Sequence, residues 1–425
     1  MFHFAYDEDG QLRAEEVLLE TIAARVGTPC YVYSTATIER HYRVYEEALN
    51  GHPHLICYAM KANSCGAVLS LLAKKGAGAD IVSEGELHRS LRAGVPADKI
   101  VFSGVGKTGG ELEAALRAGI LAFNVESEAE LDELSAVALG LGSPAPVSLR
   151  VNPDVDPATH PYIATGLSES KFGVPITDGP RLARRVAEDP SLRLVGIDCH
   201  IGSQIVTLPP LMEALDSVLV LADELRASGH PVEHVDVGGG LGIPYEGEAP
   251  PHPSEFGAAV RARMSGRPEK VIVEPGRVIV GNAGILLSRV VHPKPTPSRR
   301  FLVIDAAMND LLRPALYQAF HDIWPVRRSE AARDPYDVVG PVCESGDTFA
   351  KGRALPPLLR GDLVALMSAG AYGFVMSSAY NSRPRPAEVL VSGDRFAVVR
   401  DRESIEDLIR GERLPPWWDD SEEQR

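Results

Sequence analysis

A lysine at the end of a buried run is the first residue in this chain that asks for a chemical explanation. Leu55-Ile56-Cys57-Tyr58-Ala59-Met60-Lys61-Ala62-Asn63 is an apolar stretch the length of one buried strand, and it closes on Lys61 and Asn63. Burying an ammonium without compensation is costly, so Lys61 is either paired, exposed at the strand's end, or desolvated so that a depressed pKa makes it a nucleophile. Glu274 ends the β-branched run Val271-Ile272-Val273 and precedes the turn Pro275-Gly276. A carboxylate so held either pairs with Arg277 three residues on or keeps the nitrogen of a pyridoxal ring protonated, so that the ring withdraws electrons from a substrate α-carbon. His200 is either a satisfied core histidine or a ring stacked on that cofactor. Glycines 238 to 240 let the backbone approach an anion closely and aim N–H groups at a phosphate, or else they serve a turn needing positive φ. They do not form a dinucleotide fingerprint, because Ile243 falls where the last glycine of G-x-G-x-x-G belongs and Pro244 follows it. Ser203, in His200-Ile201-Gly202-Ser203-Gln204, could add a hydroxyl to the same phosphate. No H-E-x-x-H occurs among the histidines, and no metal ligands are assigned.

These groups need a scaffold that brings them to one place. Short β-rich runs end near Met60, Val82, Phe102, Val125, Val151, His200, Val237 and Glu274, separated mostly by helical patterns such as Glu84 to Ala93 and Glu128 to Leu139. Eight alternations over about 250 residues predict an α/β fold, a TIM-like (β/α)₈ barrel, with the helix at Thr37 to Leu49 preceding the first strand. Barrel chemistry collects where strands end at their carboxyl side, and those ends carry Lys61, Asp80, Arg150, His200, Gly238-Gly239-Gly240 and Glu274-Pro275-Gly276-Arg277. Beyond Glu274 the texture becomes strand-rich: Val278 to Val291, Phe301 to Asp305, Asp337 to Val342, Leu363 to Met367, and a hairpin from Ala387 to Val399 turned at Ser392-Gly393-Asp394. This predicts a C-terminal all-β domain. The division expected is an N-terminal segment, 1–30, packing with the β domain; a barrel, 31–275; and a β domain with short helices and a frayed acidic tail, 276–425. The first segment reads as a strand around Phe2 to Tyr6 and a helix over Ala14 to Val26. His292-Pro293-Lys294-Pro295-Thr296-Pro297 reads as a stiff surface connection, and Trp417 to Glu423 as the tail.

Composition narrows the class of function. At 425 residues the chain exceeds the size of a single core. Its formal charge of −15 argues against nucleic acid, whose binding rests on clustered Lys and Arg. Apolar runs fall short of the ~20 residues of a membrane span, and the amino end lacks the order of a signal peptide, so the cytoplasm is the expected compartment. Cys30, Cys57, Cys65, Cys199 and Cys343 are odd in number and scattered, which fits neither a disulfide framework nor a zinc site. Cys343 alone stands before a polar turn, Glu344-Ser345-Gly346-Asp347. Arg313 and Tyr317 are four residues apart, which on a helical turn puts both on one face, although Pro314 interrupts a regular helix.

Taken together, Tyr58-Ala59-Met60-Lys61-Ala62-Asn63, Lys171-Phe172-Gly173, His200 to Gln204, Asp236-Val237-Gly238-Gly239-Gly240, Glu274 to Arg277 and Gly340-Pro341-Val342-Cys343-Glu344-Ser345 resemble the diaminopimelate decarboxylases. These are pyridoxal 5'-phosphate enzymes of the alanine-racemase-like barrel fold, and the likeness spans roughly Tyr31 to Tyr380. The resemblance implies that Lys61 bonds to the cofactor, with Asp80 beside it, and that His200 stacks on the ring. It also implies that Gly238 to Gly240, Ser203, Gly276, Arg277 and Tyr372 hold the phosphate end, and that Glu274 protonates the pyridine nitrogen. Arg277, Arg313, Tyr317, Glu344 and Tyr372 would bind substrate. Loss of the carboxylate at the D-centre of meso-diaminopimelate would leave electrons in the ring, and Cys343 would return a proton, giving L-lysine. In that family Cys343 and Glu344 come from the partner subunit, so a head-to-tail homodimer with composite sites is expected. A decarboxylase of ornithine, lysine or carboxynorspermidine is the nearest alternative. An alanine racemase would carry an arginine where this chain has Glu274, and a non-catalytic homologue would not need both Lys61 and Cys343.

Overall fold

The computed structural model describes residues 2–156 and 170–421, with side chains described as far as 418. Eight parallel strands form a closed ring: His54–Ala59, Gly78–Ile81, Ile100–Phe102, Ala122–Val125, Ala145–Asn152, Leu192–Asp198, His234–Asp236 and Lys270–Val273. The ring closes where Val271, Ile272 and Val273 of the eighth strand pair with His54, Leu55 and Ile56 of the first. The interior segments are buried along almost their whole length, as parallel strands covered by helices must be. Helices wrap the ring, beginning with Thr35–Leu49 ahead of the first strand. Their starts are written in the sequence: Ser83 and Ser127 accept from the backbone N–H three residues on, and Thr108 with Glu111 makes a reciprocal capping box.

The second sheet runs in the order Thr348–Leu355, Asp334–Val339, Arg300–Ile304, Gly284–Pro295, Cys30–Ser34, Ala387–Ser392 and Arg395–Arg400. Leu363–Leu366 also pairs with Gly284–Pro295 and carries Ile323–Pro325 beside it. Residues 31 to 34, which the expected division 31–275 assigns to the barrel, lie instead in this sheet, in the strand Cys30–Ser34 that pairs antiparallel with Gly284–Leu287 and parallel with Ala387–Val391. Its run Tyr31-Val32-Tyr33 looks like a barrel strand, and only non-local pairing assigns it elsewhere.

Other boundaries move for local reasons. The helix expected over Ala14–Val26 is confined to Leu19–Val26, because Leu12–Ala14 and Val17–Leu18 form a small antiparallel hairpin with Glu15 at positive φ. Phe4, Leu12, Val17, Leu19 and Ile22 bury themselves against Cys30, Val32, Ile285, Leu287 and Val389 of the second sheet. The strand expected from Val278 starts only at Gly284, since Arg277–Val280 is one helical turn. The proline-rich segment at 292 to 297 is not a linker: the strand continues through Pro295, with Pro293 opposite Leu302 and Pro295 opposite Arg300. Of the acidic tail, Pro416–Ser421 is a short 3₁₀ helix, while Glu422 and Glu423 lie outside the described residues. Among the described residues no helix is long and apolar enough to cross a membrane.

Candidate active site

Lys61 sits in a 3₁₀ turn, Met60–Ala62, directly after the first barrel strand. That turn is tied to the second sheet's loops: Tyr372 N–H donates to the Ala62 carbonyl at 2.7 Å, and Asn63 Nδ2 donates to the Gly370 carbonyl at 3.0 Å. Asn63 thereby gets its reason for standing after the lysine. Nζ of Lys61 is hydrogen-bonded and ion-paired to Asp80 Oδ2 at the end of the second strand, and the lysine side chain remains 34 % exposed while Asp80 is fully buried. Of the sequence alternatives, pairing holds. Burial alone would lower the lysine's proton affinity, but the carboxylates of Asp80 and then Glu274 outweigh it and hold the pKa above its ordinary value.

His200 follows the sixth strand, and its Nδ1 accepts the Gly239 N–H at 3.1 Å. Burial, followed by the charges of Lys61 and Arg150, pushes its pKa well below the usual range. The ring is therefore neutral, with its proton on Nε2. Gly238 and Gly240 adopt positive φ, +65° and +106°, and the arc is packed tightly. A Cβ at Gly238 would lie 2.5 Å from the Cys199 carbonyl oxygen, and one at Gly240 2.5 Å from that of Gly202. Gly276 is similarly close, its missing Cβ 3.0 Å from that of Ala62. A turn of this kind, stripped of side chains beside Ser203 and His200, fits the phosphate end of pyridoxal phosphate.

Glu274, 4 % exposed, accepts from Asn124 Nδ2 at 3.4 Å and from Ser103 Oγ at 3.5 Å. It does not pair with Arg277. Oxygens of Glu274, Asp198 and Asp236 lie within 4.8 Å of one another in the barrel interior. Burial and the neighbouring charges of Asp236, Asp80 and Asp198 raise Glu274 well above the carboxylate range, and burial lifts Asp198 to about 7 despite Arg150. Arg150 reaches Glu126 Oε1 at 2.8 Å and Asp198 Oδ2 at 3.6 Å. A carboxyl that holds its proton more tightly than a free one suits a place beside a pyridine nitrogen that must be protonated.

Arg277 and Arg313 are each 6 % exposed, and among the described residues neither has a carboxylate within ion-pair distance. Arg277 donates to Ser203 Oγ at 2.9 Å and to Tyr245 Oη at 2.7 Å, and its guanidinium lies 4.9 Å from the Tyr372 ring centre. Arg313 opens the short helix Arg313–Tyr317 with Pro314 in its first turn, where proline is tolerated. Tyr317 is half-buried and within electrostatic reach of Arg277. Tyr245 and His321 were not legible as site residues: His321, fully buried, donates from Nδ1 to the Met367 carbonyl at 2.8 Å and accepts from Arg313 at 2.9 Å.

Cys343 and Glu344 are exposed, on a loop that buried Asp347 ties down by accepting from Val342 N and Met308 N, each at 2.7 Å. Cys343 N–H donates to Asn381 Oδ1 at 2.9 Å, and Glu344 is hydrogen-bonded to Tyr380. Within this one chain the loop makes no hydrogen bond or ion pair to the Lys61 cluster among the described residues. The remaining sequence-predicted residues are gathered around the barrel mouth; these two are not.

A family model for the pyridoxal-binding domain of pyridoxal-dependent decarboxylases matches residues 35–281, which begins at the helix Thr35–Leu49 and ends beside Arg277. The diaminopimelate decarboxylase of Pseudomonas fluorescens is 55 % identical over 408 residues, covering 96 % of this chain and 98 % of that one. A Helicobacter pylori diaminopimelate decarboxylase crystallised with L-lysine superposes with a TM-score of 0.90 at 44 % identity, covering 92 % of this chain and 98 % of that one. The M. jannaschii enzyme in complex with L-lysine gives 0.93 at 37 % identity, with 98 % and 100 % covered. With this agreement in sequence, in barrel and in the residues at its mouth, the chain belongs to the diaminopimelate decarboxylases, within the pyridoxal-phosphate-dependent decarboxylase family.

Proposed function

We propose that this protein removes the carboxylate at the D-centre of meso-2,6-diaminopimelate and releases L-lysine and carbon dioxide, the last step of lysine formation. The observation that carries the reading is the pair of buried guanidinium groups at the barrel mouth, Arg277 and Arg313, without carboxylate partners among the described residues. Two desolvated cations are costly unless an anion completes them. The far carboxylate of the substrate, which is also the carboxylate of lysine, is such an anion.

Pyridoxal phosphate, when bound, supplies the sink for the electron pair left by the departing carboxylate. Lys61 holds the cofactor through its amine, and Asp80 fixes the direction of that nitrogen. His200 offers a flat neutral face, while the N–H groups of the glycine arc and Ser203 hold the phosphate end. Glu274, whose proton affinity is raised by burial and three neighbouring acids, would share a proton with the ring nitrogen and hold it there. Arg277, Arg313, Tyr317 and Tyr372 grip the far end of the substrate, so that the D-centre is the one left over Lys61. Cys343 returns a proton to Cα, and Glu344 contacts the substrate's distal amine. Because their loop stands apart from Lys61 in its own chain, both residues act in the site of a second copy, in a homodimer of the cytoplasm.

Carbon dioxide release from meso-diaminopimelate, L-lysine and L-ornithine tests the substrate. A polar site of this kind rejects substrates lacking the distal group by roughly 10⁴-fold. Arg313→Ala should cost about 2–5 kcal/mol in kcat/KM. Faster release from ornithine or lysine, or a silent Arg313→Ala, sinks the assignment. For the dimer, inactive Lys61→Ala and inactive Cys343→Ala proteins are mixed under conditions of proven subunit exchange. Recovered activity supports composite sites, since hybrids carry one intact site, and none refutes them.

A further inference from the structure

Tyr245 lies between the two arginines and has no role in the scheme above. Its hydroxyl accepts from Nη1 of Arg277 at 2.7 Å and is hydrogen-bonded to Arg313 as well, and its ring centre lies 4.7 Å from the guanidinium carbon of Arg313. The ring's edge also meets His321 at a centroid distance of 5.6 Å, and His321 in turn holds Arg313. With Nη1 of Arg277 on Tyr245 and Nη2 on Ser203, the Nε–H of Arg277 is left buried and without a partner among the described residues. That nitrogen and the neighbouring Nη2 form one edge of the guanidinium, the kind of edge that receives a carboxylate in a two-point fork.

The backbone under Tyr245 is held from both sides. Gln204 bonds the Ile243 peptide at both ends, donating to its carbonyl at 2.6 Å and accepting from its N–H at 3.1 Å, and Glu248 accepts the Tyr245 N–H at 2.7 Å. A ring so placed is a fixed wall shared by two like charges. Its oxygen serves both cations and its negative face lies under Arg313, which offsets their repulsion and their loss of water.

We infer that Tyr245 is a specificity-determining positioning residue: it sets the rotation of Arg277 and the separation of Arg313, so that the two form a single receptor for the distal carboxylate of the substrate. This rests on the proposed reaction and deepens it. Tyr245 touches the arginines, not the reacting carbon, so its loss should appear in binding and not in turnover.

The test uses the cofactor-loaded protein and two variants, Tyr245→Phe, which keeps the ring and removes the oxygen, and Tyr245→Leu, which removes both. Thermal unfolding first establishes that each is folded. For meso-diaminopimelate, Tyr245→Phe should raise KM by roughly 10- to 100-fold, the loss expected for one hydrogen bond to a charged group, with kcat within about threefold. Tyr245→Leu should raise it further. L-lysine binding measured by calorimetry should weaken in parallel, which reads the receptor without turnover. In an Arg277→Ala background the effect of Tyr245→Phe should shrink, because part of it is exerted through that arginine and the rest through Arg313. A KM that is unchanged or lowered, a fall in kcat at constant KM, or full additivity with Arg277→Ala would overturn the inference. A wild type that does not decarboxylate meso-diaminopimelate refutes the proposed function instead, and the lysine calorimetry still separates the two.

Discussion

Replacing Gly238 by alanine should detach the cofactor without unfolding the barrel. The residue adopts φ of +65°, which costs an alanine about 1–2 kcal/mol. The added Cβ would stand 2.5 Å from the Cys199 carbonyl oxygen, 2.8 Å from His200 Nδ1 and 3.0 Å from His200 Cβ, so at least half an ångström must open. Relief against backbone is expensive, and the side chain that can give is His200, whose neutral ring is the proposed stacking face. Crowding a packed site in this way costs typically 1–3 kcal/mol, making a total of roughly 2–5 kcal/mol. At about 2–4 °C per kcal/mol for a domain near this size, the midpoint of unfolding should fall by several degrees or more while the fold persists. The control is Gly229→Ala, a surface position with φ of +85° and open space where the Cβ would go. It carries the same backbone cost and no crowding. Titration with pyridoxal phosphate, followed by visible absorbance, should show Gly238→Ala weakened by one to two orders of magnitude and Gly229→Ala unchanged. Affinity for Gly238→Ala within threefold of wild type would refute the placement of His200 against the cofactor.

Cys343→Ala should bind pyridoxal phosphate with wild-type affinity and turn over roughly 10²–10⁴ times more slowly, the loss typical of a missing general acid; near-normal turnover would reassign the proton donor. His321 is held neutral by burial and the Arg313 charge, its pKa pushed down to about 3 from an ordinary 6.5, so the unfolded chain takes up a proton that the folded one does not. Its stabilising contribution is thus whole above pH 6.5 and lost as pH falls toward 3, by roughly 2 kcal/mol between pH 6.5 and 5. Denaturant titrations should therefore show the stability gap between wild type and His321→Gln narrowing over that range, and a gap independent of pH would mean that His321 is not a buried neutral ring.

Much of this fold was legible because its signals are local. Parallel strands buried on both faces read as unbroken apolar runs, and Ser83, Thr108 and Ser127 announce the helices that follow. The strand-end rule then collected Lys61, Asp80, His200, the glycine arc and Glu274, which meet at the barrel mouth. What failed depends on partners distant in the chain. Cys30–Ser34 is as apolar as any barrel strand and differs only in pairing with residues 284–287 and 387–391. Pro293 and Pro295 argued for a linker because proline cannot donate to a ladder, yet the strand tolerates them near its end. Tyr245 and His321 carried no signal at all. A tyrosine after proline and a histidine in a loop gain meaning only once folding sets them against Arg277 and Arg313.

The two sheets divide the labour at the site. Lys61, His200, the glycine arc and Glu274 stand on barrel strand ends, whereas Arg313, His321 and Tyr372 stand on segments of the second sheet's domain. The seam between them is made of backbone bonds, Tyr372 N–H to Ala62 O and Asn63 to Gly370 O, at the very turn that carries Lys61. Arg277 belongs to both sides, because it follows the eighth strand and yet reaches Ser203 through one nitrogen and Tyr245 through another. On the roles proposed, a change of substrate would need few substitutions and would leave the groups for the cofactor intact, provided that Arg277 keeps its two partners. By the same proposed roles, kcat and KM should therefore separate between barrel variants and variants at Tyr245 or Arg313: the first group would disturb the electron sink and its phosphate grip, and the second would disturb which molecule is presented to it.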